Sequence, residues 1–110
     1  MPTTLVTVEN ANSGDIIKVG AITAVNLHAT AISGTGADAK GAINDALSQQ
    51  NDKQGVFVVK ATVNSAETTY LVYNKANDAT LTQDDDYVVK LVGDVNGIAS
   101  VNADGTITLA

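Results

Sequence analysis

The stretch that most constrains the fold runs from Gly55 to Gly93 and has the pattern of three consecutive β-strands. The predicted strands cover residues 56–63, 68–74 and 87–92, and they hold all three tyrosines and the single phenylalanine. Apolar side chains recur in them with the period of two that places alternate residues on opposite faces of a sheet. Polar connections separate the strands, so the stretch predicts an antiparallel meander.

The first of these strands is apolar on both faces at its start, since Phe57 and Val59 share one face and Val58 lies on the other. Burial on two sides predicts a central strand that is covered by a helix on one side. That helix is predicted at about residues 37–50, upstream of the strand. Its apolar positions have the spacing of a single helical stripe and are Ala39, Ala42, Ile43, Ala46 and Leu47.

The rest of the chain predicts further strands around this unit. In the N-terminal third, β-branched patterns predict strands at residues 3–8, 15–19 and 20–32, and residues 33–36 are predicted to form a loop. A terminal hairpin is predicted within residues 97–109, turning at Asp104-Gly105. Together these patterns predict one α+β domain over residues 1–110, mainly β, with a meander sheet, one covering helix and additional N-terminal strands.

The charge balance argues against two classes of partner. The chain carries 12 acidic residues and 6 lysines without arginine, a net charge of −6, so it lacks the clustered cations that nucleic acids and anionic membranes attract. No segment reaches the ~20 apolar residues of a membrane span, so no membrane insertion is expected. Residues 1–4 lack the basic region of a signal peptide. We therefore expect a piece of a larger protein, with Met1 added, or export that does not read the N-terminus.

The densest acidic cluster offers hard oxygen ligands of the kind that calcium prefers. It consists of Asp78, Asp84, Asp85 and Asp86. On the EF-hand loop pattern, Asn74, Asp78 and Asp85 fall at positions 1, 5 and 12, but Ala76 and Ala79 stand where the pattern needs a ligand and a glycine. A solvated loop that prevents a sheet edge from pairing with another chain explains the same charges. Calcium is the only cofactor that the sequence suggests.

Nothing in the sequence predicts an enzyme. His28 is the only histidine and has no acid close to it in sequence, so a surface or edge-strand position is expected. Gly34-Thr35-Gly36 precedes the predicted helix but lacks the lysine and spacing of a phosphate-binding loop. It is therefore interpreted as a flexible loop that connects to the helix. No serine has a visible base partner, and the absence of cysteine excludes disulfides and thiolate chemistry.

Several segments resemble the C-terminal region of bacterial proteins that are secreted by type I ABC exporters, namely RTX-type surface-layer proteins, adhesins and hydrolases. The resemblance rests on a helix, a tyrosine-containing strand, an acidic loop and an apolar-Lys-Leu-Val-Gly strand in that order. The matching segments are residues 14–17 (GDII), 37–47 (ADAKGAINDAL), 55–59 (GVFVV), 68–74 (TTYLVYN), 86–93 (DYVVKLVG) and 104–110 (DGTITLA). The chain departs from the family in lacking the Gly-Gly-x-Gly-x-Asp calcium repeats.

The resemblance implies a non-catalytic module of an exported protein at the bacterial cell surface, which aids secretion, anchoring or assembly. The exporter would then be a partner, and it would read the last five residues, Thr106, Ile107, Thr108, Leu109 and Ala110. Export of this kind predicts that deleting those residues stops secretion and leaves the fold largely intact. This segment is apolar and lies at the end of the chain, so it is expected to be presented to the exporter in an unfolded form.

Two alternatives remain open at this point. One is a structural subunit that self-assembles into a surface lattice, fibre or viral shell by adding strand to strand. The other is a calcium-dependent adhesion or ligand-binding module, in which the acidic loop holds the metal and Tyr70, Tyr73 or Tyr87 stacks on the ligand. The same tyrosines are also explained by packing against other side chains of the sheet, without any ligand.

Overall fold

The computed structural model describes residues 6–81 and 86–110, and it arranges them in three layers. A mixed five-stranded sheet forms the middle layer, a single helix covers one face of it, and a three-stranded antiparallel sheet covers the other face. The prediction of an α+β domain that is mainly β with one covering helix is confirmed.

The elements follow the predicted order with different bounds, and residues 3–5 of the first predicted strand lie outside the described residues. They are β1 (Val6–Asn12), β2 (Ile16–Lys18), β3 (Ile32–Gly36), α1 (Ala39–Ser48), β4 (Gly55–Val63), β5 (Ala66–Asn74), β6 (Tyr87–Asp94), β7 (Ile98–Val101) and β8 (Thr106–Leu109). β4, β5 and β6 form the predicted antiparallel meander. The sequence did not predict the two parallel pairs at its edges, β1 with β6 and β3 with β4. The five-stranded sheet therefore has the order β1-β6-β5-β4-β3, and the three-stranded sheet has the order β2-β8-β7.

The two faces of β4 belong to two separate cores, as its sequence pattern predicted. Phe57 and Val59 are fully buried against the helix, together with Ile43 and Leu47 of α1. On the opposite face, Val56 is fully buried in the core beneath the three-stranded sheet. The three-stranded sheet contributes Ile98 of β7 and Ile107 and Leu109 of β8 to this second core.

The prediction of a loop at residues 33–36 is wrong, because these residues form most of β3. A side-chain carbon on Gly34 would lie 2.1 Å from the carbonyl oxygen of Ala42, and one on Gly36 would lie 2.4 Å from the nitrogen of Ala42. Only glycine at both positions lets the helix backbone lie directly on this strand. The glycines therefore serve packing between α1 and β3 instead of giving a flexible lead-in.

The prediction of a strand at residues 20–32 is wrong over most of its length, since only Ile32 lies in a regular strand. The segment makes isolated bridges through Leu27 and Thr30 and is otherwise irregular. It lies across the end of the sheets, where Ile22 and Ala24 are buried. Of its β-branched side chains, Ile22 is buried while Thr23, Val25 and Thr30 are exposed, and its backbone forms no continuous ladder of hydrogen bonds.

The predicted terminal hairpin is present, with β7 pairing antiparallel to β8. β8 also pairs with β2 on its other side, so it is the central strand of the small sheet. Gly105, at the turn, has a φ of +88°, and a side-chain carbon there would lie 1.9 Å from the carbonyl oxygen of Gly20. The turn therefore fixes the hairpin against the irregular segment.

Candidate functional site

The five residues implied to be a secretion signal comprise β8, the central strand of the small sheet, and the residue that follows it. Ile107 and Leu109 are almost completely buried, at 0 % and 1 % exposure, while Thr106 and Thr108 are half-buried. Backbone hydrogen bonds continue to the last residue, since the Ala110 nitrogen donates to the Gly97 carbonyl at 2.9 Å. An apolar strand in this position is not available to a partner while the domain is folded.

The acidic loop is described only in part, because Asp84 and Asp85 lie outside the described residues. Asp78 is exposed, and its Oδ1 accepts a hydrogen bond from the Thr80 nitrogen at 3.0 Å. Asp86 is 3 % exposed, and its Oδ1 accepts from the Lys75 nitrogen at 2.9 Å. Both carboxylates therefore organise the ends of the loop through the backbone.

The side chain of Asn74 makes hydrogen bonds through its nitrogen, whereas its oxygen makes none with the described residues. Its side-chain nitrogen donates to the carbonyl oxygens of Lys53 at 2.7 Å and Asp78 at 2.6 Å. Its Oδ1 is buried and has no hydrogen-bond partner among the described residues. Asn74 directly follows Tyr73, which pairs with Tyr87, so Asn74 ends β5 beside the start of β6. Within residues 6–81 and 86–110, no three acidic or histidine side chains are grouped closely enough to hold a metal.

His28 is a packing residue at the end of β4. Its ring stacks on Phe57, with centroids 3.8 Å apart and planes inclined by 12°. Its Nε2 lies 2.8 Å from the Gln54 carbonyl, so this nitrogen carries the proton and donates it. The Asp52 carboxylate is 3.6 Å from the same nitrogen. Hydrogen bonds from Asn26 and from the Gln54 backbone, with help from His28, hold the pKa of Asp52 below its usual range.

The three tyrosines are strand residues whose rings pack within the molecule. Tyr70 is 7 % exposed on the helix side, and Tyr73 and Tyr87 stack on the opposite face with centroids 5.3 Å apart. The Tyr73 hydroxyl accepts hydrogen bonds from the backbone nitrogens of Thr23 and Ala24 at 3.3 and 3.2 Å. The Tyr87 hydroxyl is buried and has no partner in the part of the chain that the structure describes, and burial raises the pKa of Tyr87. Tyr70 and Tyr73 are therefore not presented as open platforms for a ligand, whereas Tyr87 is half-buried.

An apolar groove separates the β1 edge of the large sheet from the β2 edge of the small sheet. It has a volume of about 390 Å³, and the residues that line it include Val6, Val8, Ile17, Val19, Tyr87 and Val89. Val6 is 57 % exposed, and Ile16 on the neighbouring strand is 67 % exposed. The sequence predicted strands here, but it did not indicate that two sheet edges would lie side by side.

The opposite edge of the large sheet is covered by the helix. The Thr35 nitrogen on β3 donates to Asp45 Oδ2 at 2.9 Å, and Gln49 Nε2 reaches the Ser33 carbonyl at 3.5 Å. Side chains of α1 therefore satisfy backbone groups that an edge strand otherwise presents to another chain. The β1 edge is the more accessible of the two.

No helix in the described ranges is long and apolar enough to cross a membrane. Comparisons of this chain with protein-family models, with curated proteins and with solved structures found no significant match.

Proposed function

We propose that this chain is a non-catalytic module of an exported bacterial surface protein, and that its last five residues are read by an ABC exporter before the module folds. The proposal rests on the sequence resemblance to type I-secreted proteins. The observation that carries it further is the burial of Ile107 and Leu109 in the central strand of the small sheet. A segment held in this way can be recognised only in the unfolded chain.

This arrangement links export to folding. β2 and β7, the two neighbours of β8, come from opposite ends of the chain. While residues 106–110 are bound elsewhere, neither neighbour can complete the small sheet. Release of those residues outside the cell would then allow the sheet to close over the buried core formed by Val56, Val58 and Leu71.

The same geometry changes what a truncation experiment can show. Deleting residues 106–110 removes the central strand as well as the proposed signal, so loss of secretion alone does not separate the two roles. Ile98→Ala provides the matched control, because it weakens the same sheet from β7 and leaves residues 106–110 unchanged. Ile98 is 1 % exposed, and such a truncation costs about 3 kcal/mol.

The test is secretion of a reporter fused ahead of this chain, in bacteria that carry a type I exporter. We expect the deletion to abolish secretion and Ile98→Ala to be secreted at least as well as the original sequence. Equal loss in both variants would show that the folded sheet, and not the terminal sequence, is required. Unchanged secretion after the deletion would overturn the signal role.

Self-assembly is the second candidate function, and the apolar groove with its open edges favours it. An accessible strand with exposed apolar side chains is a template for pairing with another chain. Val6→Lys adds a second positive charge to the groove, which Lys18 also lines, whereas Val25→Lys adds a charge at a residue elsewhere that is 42 % exposed. If the chain assembles through this edge, light scattering will show large species that only Val6→Lys disperses. A monomer at all concentrations would exclude assembly by the chain alone.

A calcium-dependent binding module is the third candidate, and it is favoured by the Asn74 Oδ1 beside the acidic loop, which has no hydrogen-bond partner within residues 6–81 and 86–110. An amide oxygen is a suitable calcium ligand, and Asp78 and Asp86 stand at the two ends of the same loop. Calcium that binds only the folded state must raise the melting temperature. Unchanged melting in millimolar calcium and in chelator would count against this function.

A further inference from the structure

Asn96-Gly97 is the only asparagine–glycine dipeptide in the chain. It lies between β6 and β7, and Asn96 is exposed. An asparagine in this context is chemically labile, because glycine has no side chain to shield its backbone nitrogen from the preceding amide group. The dipeptide is therefore the position at which this chain is most prone to lose an amide.

Backbone hydrogen bonds hold the dipeptide on two sides. The Asn96 carbonyl accepts from the Ala31 nitrogen at 3.0 Å, at the end of the irregular segment. On the other side, the Asn96 nitrogen donates to the Ala110 carbonyl at 2.8 Å, and the Gly97 carbonyl accepts from the Ala110 nitrogen at 2.9 Å. The dipeptide thus joins the start of β7 both to the irregular segment and to the last residue of the chain.

Gly97 lies directly against the irregular segment. It is buried, and a side-chain carbon there would lie 1.9 Å from the Ala29 carbonyl oxygen. The same carbonyl accepts from the Ile98 nitrogen at 3.1 Å. Val95, which precedes the dipeptide, is fully buried in the core beneath the small sheet. The backbone on both flanks of the dipeptide is therefore fixed while the small sheet is closed.

Loss of the amide proceeds through a five-membered ring. The Gly97 nitrogen attacks Asn96 Cγ and gives up its proton; a new C–N bond forms, the Cγ–Nδ2 bond breaks, and ammonia leaves with that proton. Water then opens the resulting succinimide at one of its two carbonyl carbons. One product is aspartate. The other is isoaspartate, in which the backbone runs through the former side chain and the former backbone carbonyl becomes a free carboxylate.

The hydrogen bonds of the closed sheet oppose ring closure. Asn96 Nδ2 donates to Asp94 Oδ1 at 3.3 Å, so the amide is directed toward the residues before it. For the ring to close, this amide and the peptide group that follows must turn toward each other, which breaks the hydrogen bond from the Ala31 nitrogen. The reaction therefore needs an opening that frees the start of β7, and its rate follows the population of that open state.

Isoaspartate does not fit the closed sheet. It lengthens the backbone between residues 96 and 97 by one carbon atom, roughly 1.5 Å. Gly97 cannot move toward Ala29, and the two hydrogen bonds with Ala110 cannot both form again. The new carboxylate also adds a negative charge close to the exposed Asp94. The aspartate product, by contrast, keeps the original backbone and its hydrogen bonds.

We propose that Asn96-Gly97 is a deamidation site that reacts only while the start of β7 is released, and that the isoaspartate formed there prevents the terminal hairpin from docking again. Reversible opening of the small sheet thereby becomes permanent in a growing fraction of the molecules. In those molecules Ile107 and Leu109 are uncovered. The proposal depends on the geometry of the small sheet and is independent of export.

The first test compares deamidation of the intact chain in mildly alkaline buffer with and without urea. Peptide mapping by mass spectrometry follows every asparagine in one experiment. In urea we expect Asn96 to react fastest, and without urea we expect it to react at least about tenfold more slowly than in urea. Equal rates at Asn96 in the two conditions would overturn the proposal, as would faster reaction of another asparagine in urea.

Two matched truncations test which opening admits the reaction. Ile98→Ala weakens β7 and should speed the reaction of Asn96 without urea at least about tenfold. Ile43→Ala removes the same atoms from the helix layer, where Ile43 is fully buried, and should leave the rate unchanged. Equal acceleration in both would assign the reaction to global unfolding and contradict release of the hairpin alone. If Ile98→Ala does not fold, the urea comparison still decides.

The reaction products test whether docking is blocked. The isoaspartate form is purified after ageing in urea and returned to native buffer, and Asn96→Asp supplies the aspartate form directly. We expect Asn96→Asp to melt like the original chain and the isoaspartate form to lose hydrogen-exchange protection in β7 and β8. An isoaspartate form that melts and exchanges like Asn96→Asp would overturn the proposal.

Discussion

The two layers that cover the central sheet differ in how far apart their segments lie in the sequence. The helix side is one contiguous run, β3-α1-β4, within residues 32–63. The small sheet joins β2, from the N-terminal third, to β7 and β8, from the last part of the chain. Distant segments must close a long loop before their contacts stabilise anything. We therefore infer that the helix layer forms first and that the small-sheet layer forms last and opens first.

The local interactions agree with this difference. α1 begins at the N-cap Asp38, whose Oδ1 accepts from the Gly41 nitrogen at 2.7 Å, and it packs on glycines of the strand directly before it. The small sheet has strands of only three or four residues and depends on a few apolar side chains, chiefly Ile98, Ile107 and Leu109. Removing any strand of the small sheet exposes side chains on the face of the five-stranded sheet that α1 does not cover.

The largest effect is expected from deleting residues 106–110. The sequence predicted that the fold would survive this change, but the structure places the deleted strand at the centre of the small sheet. Without it, Val56 and Leu71 lose their cover, and we expect thermal unfolding to become broader and to move to a much lower temperature, because only the helix layer remains. Near-ultraviolet circular dichroism and calorimetry would measure this. A deletion variant with a sharp transition near that of the full chain would show that the small sheet is dispensable.

Gly34→Ala tests the helix layer with the smallest possible side chain. The added carbon would lie 2.1 Å from the Ala42 carbonyl oxygen and 2.5 Å from the Ala46 nitrogen, so the helix must move away from β3. We expect the free energy of unfolding to fall by about 3 kcal/mol. Thr35→Ala, at the exposed neighbouring residue, should change it by less than about 0.5 kcal/mol. Equal values for the two variants in urea unfolding would contradict the close packing of α1 on β3.

Tyr73→Phe and Tyr87→Phe compare two hydroxyl groups on the small-sheet side. The Tyr73 hydroxyl accepts from the Thr23 and Ala24 nitrogens, and its loss leaves the buried Ala24 donor without a partner. That should cost about 2 kcal/mol. The Tyr87 hydroxyl has no partner to lose among residues 6–81 and 86–110, so its removal should be neutral or stabilise by about 1 kcal/mol. Equal destabilisation in denaturant unfolding would show that Tyr73 does not anchor the irregular segment.

Asp52→Asn should have the smallest effect, and only through pH. Because the folded state depresses the pKa of Asp52, the carboxylate stabilises the fold above its unfolded pKa of about 3.9. This contribution is lost as pH falls through the lower pKa of the folded state. Acidification from about pH 5 to about pH 2 should therefore destabilise the original chain slightly more than the variant. Parallel stability curves over that range would contradict a role for the contacts of Asp52 with Asn26 and His28.

The sequence predicted those elements whose signals are local. The helical stripe of α1 and the alternation in β4, β5 and β6 each lie within a short window, so they were found without knowledge of the partner strands. The Asp104-Gly105 turn likewise identified the terminal hairpin. The parallel pairs β1–β6 and β3–β4 were not predicted, because their registers join segments that are far apart in sequence.

Two errors have a common physical cause. Glycine disfavours strands, so residues 33–36 predict a loop. Gly34 and Gly36 instead lie in β3, where the absence of a side chain lets the backbone of α1 pack against the strand. Residues 20–32 were assigned to a strand because β-branched residues favour one, yet their backbone is held by side chains such as Tyr73. In both segments the tertiary environment overrides local propensity.

Native-state hydrogen exchange tests the proposed order of layers most directly, because it measures the free energy of opening for each backbone amide. We expect the amides of β2, β7 and β8 to exchange together through an opening that leaves the amides of α1, β4 and β5 protected. That result would mean that residues 106–110 are the part of the folded domain that is released first. Exchange of the small sheet and the helix layer with one common free energy, that of global unfolding, would contradict it.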